Sequence, residues 1–202
     1  MNSAKKNESV RICNPLAGLL LLLTLWLTGG AASALAQDRT EPSVLIYINP
    51  NEYSHEVHVG YRPYFSAWIS RGPMLEKAAT DALKPHFSEA GLCEGNNTAD
   101  VIVWLKPSLT YNPIGRYYAR VRAKFYLGDG KHLGDLKATG KHDGAMGSSF
   151  VEEEVRQAYD NAMQDIARQY AADGKLHEAI RSSLAKDITK MPCAMVSMIP
   201  KP

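Results

Sequence analysis

The sequence predicts an α+β fold: a two-layer sandwich with a mostly antiparallel sheet, in β-α-β-β-β-α order, covered by two main helices. Three observations carry this expectation. Residues 101–105 (VIVWL) are a continuous apolar run, as in a central strand. Residues 116–127 (RYYARVRAKFYL) alternate, with Tyr117, Ala119, Val121, Ala123 and Phe125 on one side. Residues 151–170 carry Val151, Val155, Ala158, Tyr159, Ala162, Met163, Ile166 and Tyr170 in one helical stripe.

The remaining elements follow in chain order. Residues 43–48 (SVLIYI) sit between Pro42 and Asn49-Pro50 and predict a buried strand beside 101–105. Residues 56–61 alternate weakly and suggest a second strand. Residues 73–90 predict a helix, with Pro73 in its first turn and Gly91 as its stop. Pro85 conflicts with that span and predicts a kink or an early end. Gly128-Asp129-Gly130 predicts a tight hairpin turn, since Asp-Gly accepts positive φ. Residues 131–139 predict the returning strand, and the glycines at 140, 144 and 147 a flexible loop. Ser149-Phe150-Val151-Glu152 reads as a capping box, with Glu152, Glu153 and Glu154 complementing the helix dipole. Asp173-Gly174 ends that helix, and residues 176–188 suggest a shorter one.

The chain has 202 residues, 45% of them hydrophobic, and a net charge of +2. Residues 1–36 read as a secretory signal peptide. Lys5, Lys6 and Arg11 precede an apolar run (LAGLLLLLTLWL), and Ala34-Leu35-Ala36 places cleavage between Ala36 and Gln37. An uncleaved anchor is the alternative, since residues 16–35 approach the length of a membrane span. Cleavage removes Lys5, Lys6, Arg11 and Glu8. It leaves residues 37–202 as a single domain with 20 basic and 20 acidic residues. A neutral chain has no general electrostatic drive toward nucleic acid.

Cys13 leaves with the signal. Cys93 and Cys193 are then an even pair in an exported protein, which predicts one disulfide tethering the C-terminal tail. Met191, Met195 and Met198 make a soft-ligand cluster with Cys193, but a Met-rich tail more commonly packs or frays.

No strong catalytic motif is present: no G-x-S-x-G, H-E-x-x-H, P-loop or G-x-G-x-x-G. His55 and His58 are three apart but fall in an extended or looped segment, and His142-Asp143 lacks a nucleophile. Neither a metal nor a cofactor is expected. Two features suit binding. Tyr61, Tyr64, Phe65 and Trp68 form an aromatic stretch, which more often fills a core than lines a partner surface. Arg120, Arg122 and Lys124, flanked by Tyr118 and Tyr126, form the outer face of the alternating strand. That face is solvated, or is a patch for an acidic partner or a lipid head group.

Residues 99–170 follow a pattern: ADVIVWL, a turn, RVRAKFYLGDG, a short strand, a loop, then VRQAYDNAMQDIARQ. This resembles small Gram-negative envelope lipoproteins of the YajG and ABC-transport-auxiliary kind. The resemblance implies an α+β domain serving as a non-enzymatic accessory or assembly component. Those proteins carry a lipobox cysteine after the apolar run, where this chain has Ala36-Gln37, so a lipid anchor is not implied. No functional residue carries over.

Three functions follow as expectations. The first is a periplasmic or secreted non-catalytic envelope protein that binds an envelope protein or lipid, with no transmembrane span after cleavage. The second is a periplasmic small-ligand or lipid carrier whose 61–68 region lines an apolar pocket. The third, an unrecognised enzyme, requires His55, His58 or His142 beside a carboxylate in a cleft.

Overall fold

A five-stranded sheet organises the chain. The structure, a computed structural model, describes residues 41–61, 65–112, 115–144, 150–186 and 188–199, without the side chains of 61 and 65. The expected signal peptide and its Ala36-Gln37 cleavage site lie outside the described residues. The strands are β1 (Ser43–Ile48), β4 (Glu89–Leu92), β5 (Val101–Asn112), β6 (Arg116–Leu127) and β7 (His132–Asp143), in the spatial order β4-β1-β5-β6-β7. β1 lies beside 101–105, as the sequence suggested, and runs parallel to both its neighbours, pairing Val44 with Val101 and Ile48 with Leu105. The long β5-β6-β7 meander is antiparallel.

Three other short elements fill the first half: α1 (Pro50–Tyr53) and the two-stranded sheet of β2 (Glu56–Tyr61) and β3 (Phe65–Ser70). Then come α2 (Arg71–Leu83) and, in the second half, α3 (Val151–Ala172) and α4 (Gly174–Leu184). Helix α2 ends earlier than residue 90. A 3-10 turn at Lys84–His86 contains Pro85, which cannot donate to the preceding turn, and the chain then extends into β4. Gly91 is thus a strand residue and not a helix stop. α4 also starts earlier than expected, because the Asp173 side chain accepts from Lys175 N and Leu176 N and caps it. The expected capping box depends on Ser149 and so falls outside the described residues. Phe150 occupies the N-cap without a side-chain bond.

α3 lays its apolar stripe across β6 and β7, and α2 packs against α3. Val103, Leu105, Val121, Phe125, Tyr159 and Ile166 belong to this main core. β7 is longer than expected: Gly140 and His142 lie within the strand, not in a loop. Gly140 has no room for a side chain, because a Cβ there would meet the Ala158 carbonyl and the Ala162 amide of α3. α3 also covers the outer edge of β7, where Asn161 Nδ2 donates to Lys141 O (2.9 Å) and Gln169 Nε2 to Lys137 O (3.0 Å). Filling these carbonyls blunts a 12-residue edge that would otherwise accept another strand.

The second face of the sheet is not uniformly polar. Residues 101–105 are all buried, and exposure begins to alternate only at Lys106. The reason is a third layer at that end. Tyr47, Ile102, Trp104 and Tyr126 pack against Val196 and Ile199 of the C-terminal tail. Tyr126, read from sequence as an outward residue, is therefore 1% exposed. The Cys93–Cys193 disulfide holds this tail, with Cys193 N bonding Asn97 O (3.0 Å) and Ala194 N bonding Gly95 O (2.9 Å). The sulfur of Cys193 is consequently no free thiolate for a soft metal.

Asp100 joins the tail to the sheet. Its carboxylate accepts from Ser43 N (2.9 Å) and Ser43 Oγ (2.7 Å) and pairs with Lys190 Nζ (2.6 Å). Burial pushes this carboxyl up, but Lys190 and the two Ser43 donors together hold it below its ordinary value. A depressed folded pKa contributes stability above the unfolded value, and that contribution is lost as pH falls through the folded value. Asp100→Asn is expected to cost about 1–3 kcal/mol at neutral pH. The gap between wild type and variant should close in urea titrations taken progressively below about pH 4, where unfolded aspartate protonates. A gap that is constant with pH would show that the carboxylate's charge is not what matters.

Candidate binding face

Directly opposed residues on neighbouring strands point to the same side of a sheet, so the register of β5, β6 and β7 sorts the outer face into rows. From the tail outward these are Trp104–Lys124–Asp135, Lys106–Arg122–Lys137, Ser108–Arg120–Thr139 and Thr110–Tyr118–Lys141. The first row is neutralised in part: Lys124 lies 3.9 Å from Asp135, which also meets His132 at 2.7 Å. Lys141 is likewise paired, with Asp143 at 3.0 Å, and Arg116 reaches the same carboxylate at 3.1 Å. Lys141 first, then Arg116, hold the Asp143 carboxyl below its ordinary value.

Lys106, Arg120, Arg122 and Lys137 differ. All four are exposed, and none has a carboxylate within ion-pair distance among the described residues. They surround a depression of about 470 Å³ that Ser108 and Thr139 also line. The α3 residue Asp165 reaches its rim, where it pairs with Arg168 (2.9 Å) and accepts from Gln169 (3.1 Å). A second hollow of about 380 Å³ shares Lys106 and Arg122 and extends toward Asn49, Asn51 and Trp104.

The sequence therefore located Arg120 and Arg122 on an open face, while Lys124 and Tyr126, which line the second hollow, are less exposed than an outer strand face predicts. Lys124 is half-buried and paired, and Tyr126 lies under the tail. Tyr118 is half-buried in the outermost row. Lys106 and Lys137 were missed, because they come from other strands and join Arg122 only through the register. The alternation that starts at Lys106 was the available signal for the first of them.

Of the aromatic stretch, Trp68 alone has a described side chain. Val59 and Ile69 anchor the β2–β3 hairpin in the core, while Trp68 on its other side is 65% exposed and tilts against His58 at 5.0 Å. Trp68 is thus neither core nor a lining of the two hollows above. Tyr64, and the side chains of Tyr61 and Phe65, lie outside the described residues. His58 Nε2 meets Ser66 Oγ at 2.8 Å, and His55 is exposed before β2. His142 stands opposite Tyr117 at the end of β7. Among the described residues, no three His, Cys, Asp or Glu side chains converge to hold a metal, and no helix is long and apolar enough to cross a membrane.

Glu154, expected only to complement the helix dipole, is instead buried in the first turn of α3. Burial first, and then its hydrogen bond to Glu154, push the Tyr117 phenol far above its ordinary value. This pair sits on the core side of the sheet, away from the basic rows.

No family model matches this chain, and no curated protein matches it. Among solved structures, the chain is similar to one described as a putative lipoprotein from Caulobacter crescentus CB15. The two share 13% identity over 72% of this chain and 93% of the other, with a TM-score of 0.35.

Proposed function

We propose that the chain is exported, loses residues 1–36, and acts without catalysis as a periplasmic envelope-binding protein of the accessory kind that the YajG resemblance implies. Its outer sheet face holds an anionic component of the envelope. One observation carries this reading. In a mature chain with 20 basic and 20 acidic residues, four cations stand together on one open face, and among the described residues none of them has a carboxylate within ion-pair distance. Such a patch attracts anions locally, whatever the neutral average. The disulfide agrees with export, since such bonds persist in oxidising compartments.

A photo-crosslinking residue placed at Ser108 in living cells tests the face. The expected result is a defined adduct with an envelope component, lost on Arg120→Glu/Arg122→Glu, from a protein whose N-terminal sequence begins at Gln37. Equal adducts from Ser108 and from Gln164 on the exposed side of α3, or a mature protein that retains Lys5, would overturn it.

A further inference from the structure

Lys106, Arg122 and Lys137 are directly opposed across three adjacent strands. Like charges so opposed repel and weaken a sheet. Elsewhere on this face the fold supplies carboxylates: Asp135 beside Lys124, and Asp143 beside Lys141 and Arg116. Here no carboxylate lies within ion-pair distance among the described residues: Asp165 reaches the rim of the depression but is paired with Arg168. Arg120, one row along, adds a fourth cation between the hydroxyls of Ser108 and Thr139.

The dimensions narrow the ligand. Strands lie about 4.8 Å apart and successive rows about 7 Å apart, so the four cations cover roughly 10 by 7 Å. A single carboxylate would leave most of that charge unmatched. A phosphomonoester carries about −1.5 to −2 at pH 7 and three acceptor oxygens, and it suits the planar forks of two arginines. An acidic peptide adding as a strand beside the row is disfavoured by the fold. Two outward carbonyls of β7, at Lys137 and Lys141, already accept from Gln169 and Asn161.

We infer that the depression between Lys106, Arg120, Arg122 and Lys137 is a binding site for a phosphate-bearing ligand, a phosphomonoester or diphosphate, with the Ser108 and Thr139 hydroxyls donating to its remaining oxygens. The inference rests on the outer face being the binding surface and specifies what that surface takes. The ligand also removes the repulsion in the row, so occupancy stabilises the fold.

The test uses the exported protein and inorganic pyrophosphate followed by calorimetry. Alongside it are vesicles of phosphatidylethanolamine with or without phosphatidic acid, and poly-glutamate. Saturable pyrophosphate binding is expected, weakened at least about tenfold by Arg122→Gln or Lys137→Gln and unchanged by Lys84→Gln in the exposed 3-10 turn after α2. Arg122→Gln should raise the thermal midpoint of the ligand-free protein, and pyrophosphate should raise that of the wild type and of Lys84→Gln more than that of Arg122→Gln. Binding to phosphatidic acid vesicles assigns the phosphate to a lipid head group; pyrophosphate binding without vesicle binding assigns it to a soluble ligand. Absence of both, or binding indifferent to Arg122→Gln, overturns the inference. Poly-glutamate binding through Arg122 without phosphate binding also overturns it, yet leaves the anionic-partner reading standing. Loss of the Ser108 adduct as well removes both.

Discussion

The double replacement Cys93→Ser/Cys193→Ser is expected to lower folding stability by about 4–5 kcal/mol, a large share of what holds a domain of this size together. The bond closes a loop with a sequence separation of 100 residues. Loop-closure entropy grows only with the logarithm of length, but at this length it is near its practical maximum. The bond also fixes the third layer. Without it, Val196 and Ile199 cover Ile102, Trp104 and Tyr126 only through the backbone bonds to Asn97, Gly95 and Gly128 and the Asp100–Lys190 pair. Urea unfolding should therefore broaden, with an early phase in which Trp104 emission shifts to the red and protease cuts near residue 188. Trp68 is already exposed, so it contributes little to that shift. A loss under about 1 kcal/mol, with Trp104 emission unchanged until global unfolding, would mean that the tail is held by packing alone.

The tail also marks where the sequence stopped being legible. Periodicity reveals which residues of one segment share a side, and it placed β1, β5, β6 and the 128–130 turn. It cannot reveal what covers that side. Tyr126 falls on the same side of β6 as Arg120 and Arg122, and only the arrival of residues 193–199 makes it core. The pairing of Cys93 with Cys193 followed from export arithmetic, but the layer that the bond creates did not. Strand β4 was missed because Glu89–Leu92 is short, ends in Gly-Leu and follows a helix, so Gly91 looked like a stop. The basic face was half legible. Arg120 and Arg122 are neighbours along one strand, whereas Lys106 and Lys137 are neighbours only across the sheet. A face built from several strands is visible in sequence only once the register is known.

Gly140→Val is expected to destabilise the fold by about 3 kcal/mol, at the upper end of ordinary overpacking. Gly140 stands opposite Ala119 in β6, under the Ala158–Ala162 step of α3. All three alanines are fully buried. The atoms that an added side chain would meet are helix backbone, which cannot yield by changing rotamer, so the whole helix must lift. This is why the strand passes through a residue of poor strand propensity. Gly134 in the same strand is the control: no atom lies within 4 Å of a Cβ built there, so Gly134→Ala should change stability by under about 0.5 kcal/mol. Lifting α3 should also loosen the Asn161 and Gln169 bonds to the β7 edge. Gly140→Val should then exchange the amides of 137–141 faster and self-associate more readily, as an uncovered edge does. Lys137 belongs to that edge, so pyrophosphate affinity should fall although position 140 faces the other side of the sheet. Equal urea midpoints for the Gly140 and Gly134 variants would refute the close approach of helix and strand, and with it this mechanical link between core and binding face.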